Sequence, residues 1–326
     1  MLDVNSRRYW LTLALGLLGG SGSALGAEAN ERRLRLLVPF APGGAGDAAA
    51  RALAENFSRG RVWKTVVENR PGATGIVGAQ AAFRGPPDGS FLFLGHSDTI
   101  VLNPLTRKAL PYDASRFEPV AFVGRVPGVL LSRAASGIDS GFTLIKAARA
   151  RPRQLTYASW GLGSAAHLGM EWLQQVGAIE LLHVPYQSTA AAIQALLAGE
   201  IDFAFATPEF GLQAMSQGKA LIVGASSATR IASAPAVPSL SEEGFPGFDL
   251  DTWYGLFAPP GTPAPVKNEL HEAVEAAMNG PQLAATLRRA GHELQSMSIP
   301  EFGAFVEADR RRWRTLIETR RLAFEL

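Results

Sequence analysis

The chain is dominated by short apolar runs that alternate with Ala- and Leu-rich helical stretches. The first run, residues 34–38, is followed by a turn and then by a helical pattern over residues 48–57. A short uninterrupted apolar run is typical of a strand buried on both faces of a parallel sheet, and the helix that follows supplies the crossover. This alternation predicts an α/β fold.

The turn after the first strand contains Pro42, Gly43 and Gly44 and leads directly into a helix. Glycines adopt backbone conformations closed to other residues and let a ligand approach the main chain, while the first N–H groups of the helix have no partner. With the positive end of the helix dipole, these groups favour an anion such as a carboxylate or phosphate. A tight turn in which Asp47 caps its own helix explains the same residues, and the spacing matches neither usual nucleotide-binding pattern.

Other predicted strands also end in glycine-containing loops. Two more strands, residues 65–68 and 91–94, end in polar loops that contain glycine, and a second series with the same order of elements starts near residue 143. In that series a helix is predicted to begin at Ser164 and to stop at Gly177. Since ligands bind at the carboxyl edge of open α/β sheets, the sequence predicts two similar halves with binding loops at the strand ends.

The N-terminus, residues 1–27, has the features of a cleavable signal peptide. Arg7 and Arg8 precede an uncharged run over residues 11–18, which is too short to anchor the chain in a bilayer, and small residues follow it. The Sec and twin-arginine export routes both remain open. The sequence contains no cysteine, which excludes a lipid-modified cysteine and a disulfide. We therefore expect a soluble protein in the periplasm.

The rest of the chain, about 300 residues, is long enough for two domains. The whole sequence is 47% hydrophobic and 18% charged, with a net charge of only +2, so its bulk charge does not favour nucleic acid. The arginines of residues 310–321 are predicted to lie on the wet side of an amphipathic helix opened by the capping box Ser298–Glu301, although a polyanion site is the alternative.

An enzyme is the less favoured interpretation. Ser164 and His167 lie three residues apart, which suggests a nucleophile and a base, but the G-x-S-x-G pattern of hydrolases is absent. Ser164 as a helix N-cap, with His167 in the first turn, explains the pair more simply. The five histidines show no metal-binding spacing, so we predict no catalytic residue, metal or cofactor, with a hydrolase as the alternative.

A set of collinear motifs from about residue 34 to the C-terminus resembles the Bug family, the extracytoplasmic solute receptors of tripartite tricarboxylate transporters. The motifs that carry the resemblance are Val38-Pro39-Phe40-Ala41-Pro42-Gly43-Gly44, Asn69-Arg70-Pro71-Gly72-Ala73, Tyr157-Ala158-Ser159, Gly163-Ser164, His167-Leu168, His183-Val184-Pro185-Tyr186 and Trp253-Tyr254-Gly255-Leu256-Phe257. The resemblance implies a two-domain type II periplasmic-binding-protein fold with a ligand cleft between the domains. The first domain would comprise residues 28–126 and 250–326, and the second residues 127–249.

The resemblance also implies the function and the site. A small carboxylated solute would be held by backbone N–H groups and hydroxyls, directly or through water, and enclosed by hinge closure. Integral-membrane transporter subunits would then receive it from a monomeric receptor; a sensor that presents ligand to a membrane signalling protein would use the same cleft. The predicted ligand-binding residues are Phe40, Gly43, Gly44, Asp47, Thr74, Ser97, Ser159, Trp160, Gly163, Ser164, His167 and Thr207.

Two departures from the family pattern bear on the ligand. Trp160 stands where a small residue is common, and Ala206 stands where many members have an aspartate. Without that aspartate, Asp47 is the main acid expected at the cleft, and a ligand ammonium group would lack a partner. We therefore expect a carboxylate without an amino group, with an apolar body that stacks on Trp160.

Overall fold

The computed structural model describes residues 32–59 and 63–321. The predicted signal peptide, its cleavage position and the choice of export route lie outside the described residues. The elements are β1 (Arg32–Val38), α1 (Ala45–Arg59), β2 (Trp63–Asn69), α2 (Ile76–Phe83), β3 (Phe91–His96), α3 (Asn103–Thr106), β4 (Glu118–Pro127), β5 (Val129–Arg133), α4 (Gly141–Ala150), β6 (Thr156–Ser159), α5 (Ala165–Gly177), β7 (Leu182–Pro185), α6 (Thr189–Ala198), β8 (Phe203–Ala206), α7 (Pro208–Ser216), β9 (Ala220–Ala225), β10 (Asp251–Ala258), α8 (Ala264–Met278), α9 (Pro281–Arg289) and α10 (Ile299–Thr319).

Two five-stranded mixed sheets form the cores of two α/β domains. The first sheet has the order β2-β1-β3-β10-β4, in which β1 is parallel to β2 and β3 while β10 runs antiparallel to both of its neighbours. The second has the order β7-β6-β8-β5-β9, with β5 antiparallel to β8 and β9. The predicted α/β, two-domain fold is confirmed, and both sheets are mixed rather than purely parallel.

The C-terminal helices pack on the first domain. Helix α8 contacts α1 and β4, α9 contacts α1, and α10 contacts β4. The indole N–H of Trp253 on β10 donates to the Asp309 carboxylate on α10 at 2.8 Å, with both side chains buried. Helix α10 opens with the predicted capping box, in which Ser298 and Glu301 bond each other's backbone N–H groups. The first domain is therefore built from two stretches of the chain, one before and one after the second domain.

The two segments that cross between the sheets are joined by Ser226. Its hydroxyl accepts from the N–H of Gly128 and donates to the carbonyl of Leu250, both at 2.8 Å. Backbone bonds from Ser226 to Gly128 and from Leu250 to Ser226 add to this link. Because Gly128 lies between β4 and β5 while Leu250 immediately precedes β10, one buried serine holds the crossings side by side.

Most predicted elements appear within a few residues of their expected bounds, and three differences are informative. Strand β3 extends two residues beyond its predicted end at residue 94, so His96 is buried in the sheet. Helix α1 begins at Ala45, which puts Asp47 inside its first turn. Helix α5 includes Gly177, and Ala178 adopts the left-handed conformation that ends it. No helix within residues 32–59 and 63–321 is both long and apolar enough to cross a membrane.

Candidate ligand cleft

Loops at the carboxyl ends of the strands of both domains meet in one place. Across this contact zone, which we call the cleft, Thr74 Oγ1 lies 3.4 Å and Arg107 Nη2 3.1 Å from the carbonyl oxygen of Leu162. The Asp98 carboxylate accepts from the indole N–H of Trp160 at 2.8 Å and from the backbone N–H of Ala165 at 2.9 Å. Both domains therefore present polar groups to the same space.

The first loop is held in shape by Asp47, which is only 4% exposed. Its carboxylate accepts from the N–H of Gly43 at 3.0 Å, from Arg51 at 2.9 Å and from the amide of Asn69 at 2.9 Å. Burial alone would raise the pKa of Asp47, but these hydrogen bonds outweigh it and the pKa lies below its ordinary value. The carboxylate therefore organises the loop around Gly43 instead of presenting a free acceptor.

The glycines of this loop remain open. Gly43 has φ +95°, and a Cβ at either Gly43 or Gly44 would meet no atom within 4 Å. Phe40 closes the base of the loop, with its ring edge-on to His96 at 5.2 Å and to Tyr254 at 6.3 Å between centroids. The exposed backbone at Gly43 and Gly44 thus lies between the end of β1 and the start of α1, while Gly46 in the first turn packs against Tyr254. Anion binding by this loop stays a prediction.

The second loop carries Thr74 towards the other domain. Ala73 and Thr74 both have left-handed backbone angles, with φ of 48° and 54°. The side-chain amide of Asn103 donates to the Thr74 carbonyl at 3.1 Å and fixes this turn. A Cβ built on Gly161, across the cleft, would lie only 2.8 Å from Thr74 Oγ1, so the glycine allows the two loops to approach.

The third loop contains Asp98, a functional residue that is not among the predicted ligand-binding positions. Asp98 is fully buried, and its backbone N–H donates to His96 Nδ1 at 3.1 Å. That bond uses the lone pair of Nδ1, which also lies 3.6 Å from the Asp98 carboxylate. Ser97, predicted to bind ligand, is also buried, with its hydroxyl 3.5 Å from the same nitrogen.

The turn before α5 is stabilised by hydrogen bonds from the hydroxyls of its serines to its own backbone. The Ser164 hydroxyl donates to the Gly161 carbonyl at 2.7 Å and accepts from the backbone N–H of His167 at 3.4 Å, so Ser164 is the predicted N-cap. The Ser159 hydroxyl bonds the backbone of Gly161, and the N–H of Gly163 donates to His167 Nδ1 at 3.1 Å. These bonds hold the turn in the shape that exposes the N–H of Ala165 to Asp98.

The arrangement is inconsistent with Ser164 and His167 as nucleophile and base. The Ser164 proton is directed to a carbonyl, and His167 Nδ1 accepts a backbone N–H instead of a hydroxyl. The His167 ring stacks on His183 at 4.1 Å, and Ser159 Oγ lies 2.7 Å from His183 Nε2. Burial, together with the neighbouring His167, lowers the pKa of His183 to about 4, and burial also lowers the pKa of His167. Both rings are therefore neutral near pH 7.

The remaining predicted positions lie at the edge of this zone. Trp160 is half-buried and bridges the domains through its N–H. Thr207 is the N-cap residue before α7 and faces Gly291 of the first domain, where a Cβ would lie 3.4 Å from the threonine methyl group. Ala206 is buried in an apolar cluster of the second domain. The expectation that Asp47 is the main acid at the cleft is wrong, because Asp98 holds that place.

The site contains hydrogen-bond donors and hydroxyls. Among the described residues, no group of three or more His, Cys, Asp or Glu side chains is arranged to hold a metal ion. Backbone N–H groups at two helix starts suit carboxylate oxygens in both charge and geometry. The cleft can therefore bind a small anion.

Replacing Ser164 with alanine is expected to cost about 1 kcal/mol of folding free energy, because the N-cap bond and the bond to Gly161 are both lost. The affinity for ligand should fall as well, since the turn that presents Ala165 loosens. Urea unfolding and calorimetric titration of the same preparation measure the two effects. Ser140→Ala, which removes the cap of α4, is the matched control and should lower stability alone.

The sequence is similar to a known protein family and to the sequences of individual relatives. Residues 49–322 match the family model described as tripartite tricarboxylate transporter family receptor. A UPF0065 protein encoded in the tcbD-tcbE intergenic region of a Pseudomonas species (strain P51) is 32% identical over 99% of this chain and 96% of its own length.

Solved structures agree with the sequence match. R. palustris Rpa4515 with adipate superposes with a TM-score of 0.84 at 29% identity, covering 89% of this chain and 97% of that chain. MatC from Rhodopseudomonas palustris with bound malate gives a TM-score of 0.79 at 27% identity, covering 87% and 99%. Each match therefore covers most of both chains.

Proposed function

Because this chain belongs to the tripartite tricarboxylate transporter receptor family, we propose that it is a periplasmic solute-binding receptor. It captures a small carboxylated solute between its two domains by hinge closure and delivers it to the membrane subunits of a transporter. The adipate and malate bound to two similar proteins support a carboxylate as the ligand class. The cleft binds and releases its solute without covalent chemistry.

One observation of this structure carries the proposal. The amino terminus of α5 already binds a carboxylate, that of Asp98, through the Ala165 N–H at 2.9 Å. A helix start that accepts a carboxylate across the cleft has the chemistry that a carboxylate receptor needs. The open backbone at Gly43 and Gly44 offers a second helix start, that of α1, from the opposite domain.

The proposal includes the domain division and the export of the protein. The first domain comprises residues 28–126 and 250–326, and the second residues 127–249. Both boundaries fall in the crossing segments that Ser226 links, which supports them as the hinge. Residues 1–27 act as a cleavable signal peptide, and the mature receptor is a monomer.

Thermal unfolding with a panel of mono- and dicarboxylates tests the function. A true ligand present at about 100 times its dissociation constant should add roughly 2.7 kcal/mol of stability, which raises the melting temperature. A chelator should leave this shift unchanged, because the donors are N–H groups and hydroxyls.

Gly161→Ala perturbs the cleft directly, because its new methyl group would overlap the Thr74 hydroxyl of the opposite domain and Gly161 has a φ of +131° that favours glycine. In this variant the ligand-induced shift should shrink. If no carboxylate stabilises the wild-type protein, or if a chelator abolishes the shift, the proposed function is wrong.

A further inference from the structure

The side chain of Asp98 joins the two domains. It follows β3 of the first domain, and its side chain is fully buried. Both of its carboxylate oxygens accept hydrogen bonds from the second domain: Oδ1 from the N–H of Ala165 at 2.9 Å and Oδ2 from the indole of Trp160 at 2.8 Å. The two donors belong to the turn that leads into α5.

This is the contact that a ligand carboxylate would make at the same place. Ala165 is the first residue of α5, so its N–H is among those without an intrahelical partner, and it lies at the positive end of the helix dipole. A second donor, the Trp160 indole, completes a fork that matches the two oxygens of a carboxylate. The chain itself supplies the anion that this fork binds.

The charge of Asp98 has no cationic partner close by. Among the described residues, the only basic side chain within ion-pair distance is His96, whose Nδ1 accepts the Asp98 N–H and is therefore unprotonated. Arg107, also in the cleft, donates to the Leu162 carbonyl instead. A second carboxylate brought to the fork would find its donors occupied and would face a like charge in a buried space.

We propose that Asp98 takes the place of a ligand carboxylate at the amino terminus of α5, and that the solute of this receptor is consequently a monocarboxylate. This inference rests on the proposed receptor function and narrows its ligand class. The single carboxylate of the solute binds at the start of α1, beside Gly44 and Ala45. The half-buried indole of Trp160, oriented by its bond to Asp98, borders the rest of the solute.

Calorimetric titration with matched pairs of acids tests this inference. The pairs are hexanoate with adipate and butyrate with succinate, which differ by one terminal carboxylate. The wild-type protein should bind the monocarboxylate of the preferred length at least about tenfold more tightly than its partner, since one occupied fork removes a charge-assisted contact. Asp98→Ala should free the fork and improve dicarboxylate affinity by about tenfold or more, with a smaller effect on the monocarboxylate.

Two variants control for folding and for net charge. Asp98→Asn keeps the size of the side chain and removes its charge, so dicarboxylate affinity should rise in the same direction but by less. Asp139→Ala removes the same charge from an exposed position of the second domain and should leave both affinities unchanged. If Asp98→Ala does not fold, Asp98→Asn is the variant that decides the test.

The possible results distinguish failure of the proposed role of Asp98 from failure of the proposed receptor function. Wild-type protein that prefers the dicarboxylate, with no gain in either Asp98 variant, overturns the role of Asp98 and leaves the receptor intact. Tight binding of aspartate that is lost in Asp98→Asn also overturns it, because the carboxylate would then pair with a ligand ammonium group. Failure of all proteins to bind any carboxylate contradicts the receptor function itself.

Discussion

Replacing Gly255 with valine is expected to destabilise the protein by about 3 kcal/mol, because the centre of the first sheet has no space for a side chain there. Gly255 lies on β10 between its partners Gly95 on β3 and Phe122 on β4. A Cβ at this position would overlap the ring of Phe302, which is fully buried.

The Phe302 ring cannot move aside easily. It packs against Phe257 at 5.1 Å, Phe122 at 5.6 Å and Trp253 at 6.0 Å between ring centroids. Core packing of this density responds to an added methyl group with strain in several neighbours. The strain falls on the contact between β10 and α10, which attaches the C-terminal helix to the first domain.

Urea unfolding measures the effect, and the neighbouring Gly303 supplies the control. Gly303 lies inside α10, and a Cβ there would meet no atom within 4 Å, so Gly303→Ala should stabilise the protein by up to about 1 kcal/mol. An unfolding midpoint for Gly255→Val equal to that of the wild type would refute this description of the core.

Acid is expected to weaken the fold between pH 6.5 and 4, with His292 as a main cause. This histidine is 2% exposed, and burial lowers its pKa to about 4 from an ordinary value of 6.5. As the pH falls below 6.5, the unfolded chain binds a proton that the folded protein does not, so the free energy of unfolding declines. A shift of this size corresponds to roughly 3 kcal/mol by pH 4.

His183 and His167 act in the same direction, since their pKa values are also lowered. Asp251 acts in the opposite direction. Its pKa is raised to about 6 by burial and by Asp249, so the folded state binds this proton first and gains stability as the pH falls from about 6 to 4.

Urea unfolding at pH 7.5, 5.5 and 4.5 resolves the two contributions. His292→Gln should make the decline shallower than in the wild type, and Asp251→Asn should make it steeper. Parallel pH profiles for the wild type and His292→Gln would show that this histidine does not remain neutral in the folded protein.

The elements of the fold could be predicted because their signals are local. The apolar run of β1 and the capping box at Ser298 are read from a few adjacent residues, and both appear in the structure. The N-cap at Ser164 was predicted for the same reason. The end of α5 was missed by one residue, because Ala178 adopts a left-handed conformation that glycine usually supplies.

The contents of the cleft could be predicted only in part, because they depend on distant pairings. Asp98 stood in the sequence as one polar loop residue among several, and its partner Ala165 lies 67 positions away. The bond between Ser159 and His183 spans 24 positions and likewise has no local signal. Side chains that meet only when two domains approach leave no periodic pattern.

The residues expected to set ligand specificity also depend on distant contacts. The lack of an aspartate at Ala206 leaves Asp47 as the main acid expected at the cleft, but Asp98, in the loop after β3, places a carboxylate between the domains, and Ala206 is buried in an apolar cluster. Trp160 was expected to offer a flat stacking face, and the structure adds that its N–H is bonded to Asp98. Stacking on the solute stays a prediction.

A crystal structure of the protein with its best-binding carboxylate tests the central claim most directly. The account predicts the solute between the two domains, with its carboxylate oxygens about 3 Å from backbone N–H groups at the start of α1, directly or through one water. A solute bound outside the cleft, or held there without contact between its carboxylate and either helix start, would contradict it.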